Sequence, residues 1–217
     1  MSRFTYAPPQ EALSILHHDA ELLLVDKPAG LLSVPGKGAH LADCLLGRVQ
    51  AVFAAALLVH RLDMDTSGTI VFAMNAPAQR HLGLQFERRH VEKTYVAEVF
   101  GDMADESGTI DLPLCVDWPN RPLQKVCAET GKAALTRWQV IGRGNGRTRI
   151  RLFPRTGRSH QLRVHMQAIG HPILGDRFYA DADALAASDR LMLHSECLTI
   201  HHPTGGARVR FCSPCPF

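Results

Sequence analysis

At 217 residues, 46% of them apolar, the chain has the length for one or two domains and the material for a substantial core, which must be mostly aliphatic because aromatics make up only 6%. The longest apolar stretch, Ala51 to Val59, is about half the roughly 18–20 residues that cross a bilayer, and the opening Met1-Ser-Arg-Phe-Thr-Tyr6 lacks the apolar core of a secretion signal, so a soluble, cytoplasmic protein without a membrane partner is expected. The net charge of +3 conceals an uneven distribution: Pro119 to Arg177 holds twelve Lys or Arg against two acids, Glu129 and Asp176, while the rest holds twelve basic against nineteen acidic residues, a division that predicts one basic face and a polyanionic partner.

In chain order, Leu22-Leu-Leu-Val25 reads as a short buried strand entering the turn Asp26-Lys-Pro-Ala-Gly30, and Ser33-Val-Pro-Gly36 is a second turn. Apolar residues at Leu41, Leu45, Val49 and Val52 or Phe53 carry helical spacing over 41–54. The β-rich Thr69-Ile-Val-Phe-Ala-Met74 is a central strand, 76–90 a helix with Pro77 in its first turn, and Thr94–Phe100 a strand ending at Gly101. Leu135–Ile141 and Arg147–Phe153 flank Gly142-Arg-Gly-Asn-Gly146 as a hairpin. Within it Arg149, Arg151 and Arg155 alternate with Ile150, Leu152 and Phe153, predicting one cationic and one buried face. A helix over 160–169 stops at Gly170, and short strands at 191–193, 198–200 and 209–211 complete the list. Hairpins dominate and strict β-α-β alternation is missing, which gives an α+β fold with a mostly antiparallel sheet and flanking helices.

Six cysteines, at 44, 115, 127, 197, 212 and 215, read as reduced thiols in a chain with no export signal. Cys212-Ser-Pro-Cys215 has the spacing of half a zinc site, with Cys197, His201 and His202 upstream, but one such pair falls short of four ligands, so no metal is expected.

The densest chemistry lies in His60-Arg-Leu-Asp-Met-Asp-Thr-Ser-Gly68. By composition alone this is equally a polar turn capped by an Asp. Ser67 lacks the G-x-S-x-G elbow of a hydrolase nucleophile, whereas Asp63 and Asp65 together leave a glycosidase-like pair open. Tyr95 by itself is a strand aromatic, and Arg158 one more surface arginine.

His60-Arg-Leu-Asp63 with Thr66-Ser-Gly68 resembles the signature of RluA-type pseudouridine synthases. Asp26-Lys-Pro-Ala-Gly-Leu31 with Val34-Pro-Gly36, Lys93-Thr-Tyr95 with Val99-Phe-Gly101, Thr156-Gly-Arg-Ser-His-Gln-Leu-Arg-Val-His165 and Gly170-His-Pro-Ile-Leu-Gly-Asp176 are similar to the family's other motifs, in family order and over nearly the whole chain. The resemblance implies an isomerase that breaks the N1–C1′ bond of uridine, turns the base over and rejoins it through C5, without a cofactor. It implies Asp63 as the catalytic carboxylate, acting on the sugar or as a base while the uracil is detached, and Arg158 as the cation paired with it. Tyr95 would stack on the target base and assist at C5, Leu162 would pack beside it, and Arg61 would fill the space left by the flipped uridine. Arg149 and Arg151 are expected to contact substrate phosphates, and His160, Gln161 and His165 to shape the floor of the site without a catalytic role.

The motifs begin near residue 19, so an N-terminal S4-type domain has no room, and a single catalytic domain over 1–217 is expected, with Asp63 in a cleft between two halves of one sheet. Length and Cys115-Val-Asp-Trp-Pro-Asn-Arg-Pro122 with Gln124-Lys-Val-Cys127 are similar to the short RluA subgroup. That implies a bacterial, monomeric enzyme acting on 23S ribosomal RNA and on a tRNA anticodon stem-loop, both presenting single-stranded loops of the kind proteins read specifically. The rival readings are a non-catalytic RNA-binding or ribosome-assembly protein and a nucleoside or glycoside hydrolase.

Overall fold

A computed structural model describes residues 5–217; Met1 to Phe4, part of the segment on which the absence of a secretion signal was argued, lie outside the described residues. The chain forms two compact units, one running up to Val91 and resuming over Ser195–Pro214, the other comprising Glu92–His194 and Cys215–Phe217.

In the first unit β1 (Ser14–His18) pairs with β2 (Leu22–Lys27), and β2 pairs antiparallel with β4 (Ser67–Ala73), whose seven residues are all buried, as the unbroken apolar run required. Between them come α1 (Leu45–Val52) and the short β3 (Leu57–Leu58), which pairs with β4. The helix expected over 41–54 is therefore shorter: residues 39–41 make a separate 3-10 turn, and the Cys44 side chain accepts the Gly47 amide to start α1. α2 (Ala76–Glu87) follows, capped by Asn75, whose side chain accepts the Ala78 amide, with Pro77 in the first turn as expected. Leu22, Leu24, Val71, Ala78, Leu82, Leu198 and Ile200 fill this unit's core.

The second unit contains β5 (Glu92–Phe100), β6 (Ser107–Asp111), β7 (Leu114–Val116), β8 (Gln124–Val126), β9 (Leu135–Gly144), β10 (Arg147–Pro154), α3 (Gln161–Ala168) and α4 (Ala182–Ala186). β5, β10, β9 and β6 pair antiparallel in that order, and β7–β8 is a separate hairpin. The β9–β10 turn is Asn145-Gly146, both at positive φ (57° and 69°), the conformation that suits a two-residue hairpin loop. Its core gathers Ala97, Val99, Trp138, Ile150, Leu152, Leu162 and Met166.

β11 (Leu193–His201) returns the chain to the first unit, where it pairs antiparallel with β12 (Arg208–Cys212). The two strands expected at 191–193 and 198–200 are thus replaced by one, because Ser195 and Glu196 continue the extended backbone between the apolar groups. The reduced state expected for all six cysteines is also corrected. Cys197 and Cys212 stand directly opposite in the β11–β12 register, with Cα atoms 4.2 Å apart, and form a disulfide. Sequence spacing conceals this, since only the register turns a separation of fifteen residues into cross-strand contact. The α+β reading with a mostly antiparallel sheet holds. Among the described residues no helix is long and apolar enough to cross a membrane, and no cluster of three or more His, Cys, Asp or Glu could hold a metal ion.

Candidate active site

Asp63 and Arg61 lie in the first unit, on the connection from β3 to β4. This connection has no regular secondary structure, so its shape depends on what grips its backbone. The Lys27 side chain, fully buried at the end of β2, donates from Nζ to the carbonyls of Pro28 (2.9 Å), Leu31 (2.6 Å) and Met64 (2.8 Å). Three acceptors match the three protons of an ammonium group. The Gly30 amide donates to the same Met64 carbonyl at 2.9 Å. On the other side of Asp63, the buried Ser33 hydroxyl donates to the Leu62 carbonyl (2.6 Å) and accepts the Leu62 amide (3.2 Å). His60 accepts the Val71 amide through Nε2 at 3.1 Å and stacks on Phe86. Asp63 itself closes a turn, its carbonyl accepting the Thr66 amide. The backbone on both sides of this half-buried carboxylate is therefore fixed, while the Arg61 side chain is exposed.

The Thr66-Ser-Gly68 part of the motif has its own steric reason. Gly68 sits at φ +111°, and a Cβ there would collide with the backbone of Ser195 on β11. Only glycine lets the two strands approach this closely at the base of the loop.

The remaining residues are in the second unit. Tyr95 on β5 stands opposite Leu152 of β10 and packs on the core cluster that also holds Leu162, so the tyrosine and the leucine expected beside it do belong to one apolar group. Arg158 lies on the turn between β10 and α3, and that turn is built around the buried Gln161. The Gln161 Oε1 accepts the Thr156 hydroxyl (2.7 Å) and the Arg158 amide (3.0 Å), while Nε2 donates to Thr136 Oγ1 (2.9 Å) and the Leu135 carbonyl (3.1 Å). Lys93, two residues before Tyr95, donates to the Thr156 carbonyl at 3.0 Å. The Arg158 guanidinium is half-buried and donates through Nε to the Ala133 carbonyl at 3.2 Å.

His160 caps α3 in the left-handed conformation (φ 52°) and hydrogen-bonds the Tyr179 hydroxyl at 2.6 Å. His165 is fully buried, with Nε2 3.0 Å from the Leu112 carbonyl and Nδ1 3.0 Å from Thr136 Oγ1; burial pushes its pKa below the ordinary value. Both histidines hold the turn and helix in place, in keeping with a shaping role.

Arg149 and Arg151 alternate with buried residues on β10 as expected, but they face away from Tyr95. Tyr95 shares its side of the β5–β10 pair with Leu152, whereas Arg149 stands opposite Glu98 on the other side. Glu98 carries two arginines, Arg147 at 3.1 Å and Arg149 at 3.4 Å. The basic segment is also less free than its count suggests. Arg163 forms a fully buried, two-pronged pair with Asp176 (2.7 and 2.6 Å), and Arg143 pairs with Glu106 at 2.8 Å. Residues Arg137 and Arg155 remain on the exposed surface. Sequence reasoning missed Lys27, Ser33, Gln161 and the Arg163–Asp176 pair as organisers of the site; all lie inside or beside the quoted motifs, which was the available signal.

A family model described as RNA pseudouridylate synthase matches residues 21–168. The chain belongs to this family. The RNA pseudouridylate synthase match spans the Lys27 clamp, the Asp63 loop, Tyr95 and the Arg158 turn together. Curated relatives agree. The dual-specificity RNA pseudouridine synthase RluA of Escherichia coli (strain K12) is 52% identical over the full length of both chains, and that of Yersinia pestis 54% identical over 91% of this chain and 96% of its own. Among solved structures, human RNA pseudouridylate synthase domain containing 1 superposes with a TM-score of 0.80 at 30% identity, over 97% of this chain and 87% of its own. The protein is an RNA pseudouridine synthase, an isomerase, and the readings as a non-catalytic RNA binder or a hydrolase fall away.

Proposed function

We propose that the enzyme is dual-specific, converting uridines in loops of 23S ribosomal RNA and of a tRNA anticodon stem-loop, and that it does so as a cytoplasmic monomer. The observation that carries this is end-to-end similarity, at 52% identity, to a relative whose name states dual specificity. Asp63 supplies the carboxylate that acts while the N1–C1′ bond is open, Arg158 the cation that serves it, and Tyr95 the platform for the detached uracil, with Leu162 behind it and Arg61 entering the space the uridine leaves. The rigid grip on Leu62 and Met64 supports the first of these roles, because a carboxylate that must act on one atom of a flipped nucleotide benefits from a fixed backbone. Neither unit carries the whole set, so the two are proposed to work as one catalytic domain. Arg149 and Arg151 are assigned to phosphates beyond the flipped base, in keeping with their side of the sheet.

Mapping pseudouridine in total RNA from cells with and without the gene tests the substrates: loss of one position in 23S RNA and one in tRNA anticodon loops is expected, and loss from one RNA class alone overturns dual specificity. Asp63→Asn keeps shape and polarity but removes the charge. It should abolish tritium release from C5-labelled uridine while RNA affinity stays within about threefold, an affinity change of well under 1 kcal/mol; substantial turnover would remove Asp63 from the chemistry.

A further inference from the structure

The β7–β8 hairpin carries two thiols that the isomerisation does not use. Cys115 lies on β7 opposite Lys125 of β8, and Cys127 follows β8 two residues beyond Lys125, so both side chains share one face of the hairpin. The two thiols hydrogen-bond each other. Both are partly exposed, unlike the buried Cys44.

Their surroundings are unequal. After Cys127 the chain turns back, the Gly131 amide bonding to the Cys127 carbonyl, and this brings the Thr130 hydroxyl to 3.2 Å from the Cys127 sulfur. The Thr130 hydroxyl, the Thr130 amide, the Cys115 thiol and the Glu129 amide all donate toward that sulfur and hold its pKa down to about 7. Cys115 is pushed the other way, by desolvation first and then by donating its own hydrogen bond to Cys127. Of the charged groups nearby, Lys125 favours the thiolate of Cys115 and Asp117 opposes it. One sulfur is thus arranged as a nucleophile and its neighbour as a reserve thiol.

We propose that Cys127 is a site of modification by peroxide and that Cys115 resolves the product into a Cys115–Cys127 disulfide. In the first step the Cys127 thiolate attacks one oxygen of hydrogen peroxide. The S–O bond forms, the O–O bond breaks, sulfur loses two electrons and hydroxide leaves, giving a sulfenic acid. In the second step the Cys115 sulfur attacks the Cys127 sulfur. The S–S bond forms, the S–O bond breaks, and the Cys115 proton leaves with the hydroxyl as water. Overall two thiols and one peroxide give one disulfide and two waters. The link would join the two ends of the segment that carries the exposed Trp118 and the Arg121 guanidinium stacked 4.0 Å above it.

At pH 7 a thiol with a pKa near 7 is about half ionised, against roughly 1% for one near 9, a ~50-fold advantage. Falling nucleophilicity takes back ~6- to 10-fold, so Cys127 should react about fivefold faster than an ordinary exposed thiol. Limited alkylation of the wild-type protein with iodoacetamide should therefore label Cys127 before Cys115 and Cys215. Peroxide should yield a Cys115–Cys127 cross-linked peptide that dithiothreitol reverses, distinct from any Cys197–Cys212 peptide. In Cys115→Ser the sulfenic acid should persist and be trapped by dimedone on Cys127, and Thr130→Val should slow its formation severalfold. The proposal is overturned if alkylation favours Cys115, if dimedone marks another cysteine, or if folded wild-type protein loses thiols to peroxide without the linked peptide. The alkylation and cross-link measurements need no variant, so a substitution that prevents folding leaves the decision intact.

Discussion

Replacing Lys27 by Met tests whether the buried ammonium is what holds the catalytic loop. The substitution nearly conserves volume and removes three charged donors. The Met64 carbonyl keeps the Gly30 amide, whereas those of Pro28 and Leu31 lose the ammonium bonds of 2.9 and 2.6 Å. Each carbonyl left unsatisfied costs about 1–3 kcal/mol, so the loss is roughly 2–6 kcal/mol. Against this, an ammonium group no longer has to be stripped of water, a saving of several kcal/mol in the folded state. The net should be a destabilisation of about 1–4 kcal/mol, within the roughly 5–15 kcal/mol that keeps a typical domain folded. The larger effect should be on rate. With Met64 held on one side only, the Asp63 carboxylate loses its fixed position, and a displacement near 1 Å can cost as much as ~100-fold in turnover. Circular dichroism melting would give the stability change. Tritium release, measured at a temperature where both proteins are folded, would give the rate, and filter binding would give an RNA affinity within about threefold of wild type. A folded Lys27→Met enzyme with turnover within about twofold of wild type would refute the clamp.

Three further outcomes follow from the geometry. Tyr95→Phe should keep stacking, worth roughly 1–3 kcal/mol per base, and slow the step at C5; a variant that instead lost that affinity with normal chemistry would refute the proton role. Arg151→Gln should flatten the salt dependence of stem-loop binding by a slope of up to about 0.7, and adding Arg149→Gln should contribute less because Glu98 already opposes that charge; an unchanged slope in a double variant that melts normally would put the phosphate track elsewhere. For His165, burial holds the folded-state pKa below 6.5, so between the two values the unfolded chain takes up a proton that the folded chain refuses. Its contribution is complete above about pH 6.5 and declines as pH falls through the folded value. Urea midpoints measured from pH 7.5 to 5 should drop in the wild type and drop less in His165→Gln, and parallel curves would remove His165 as a cause.

Much of the architecture was legible because its signals are local. An unbroken apolar run gave β4, Asn75 and Pro77 marked the start of α2, and Asn-Gly marked the β9–β10 turn. What escaped depends on partners distant in the chain. β1 alternates only weakly and is defined by its pairing with β2. The Cys197–Cys212 disulfide exists because of register. A lysine reads as surface, and nothing local tells that Lys27 is buried beneath three carbonyls contributed by two loops. Arginine alternation gave a correct cationic face on β10 but not which side of the sheet Tyr95 occupies. That is fixed by the pairing of Tyr95 with Leu152 and of Arg149 with Glu98.

The order of the motifs acquires a physical meaning from these contacts. The first and second motifs share one unit, where Lys27, Gly30 and Ser33 of the first grip Leu62 and Met64 of the second. The third and fourth share the other, where Lys93 of the third holds the Thr156 carbonyl of the fourth, and Gln161 fixes the Arg158 amide from within the same motif. Each residue proposed to touch the nucleotide is thus carried on a short irregular segment that cannot hold its own shape, and each is steadied by a polar side chain from a neighbouring motif or from its own. Such loops place a side chain where a helix or strand would not, and buried donors aimed at backbone carbonyls restore the rigidity that secondary structure would otherwise supply. On this reasoning, substitutions in the clamping residues should resemble substitutions in the residues they hold: turnover should fall while RNA affinity persists, because the phosphate contacts proposed for Arg149 and Arg151 belong to a strand held by its own ladder.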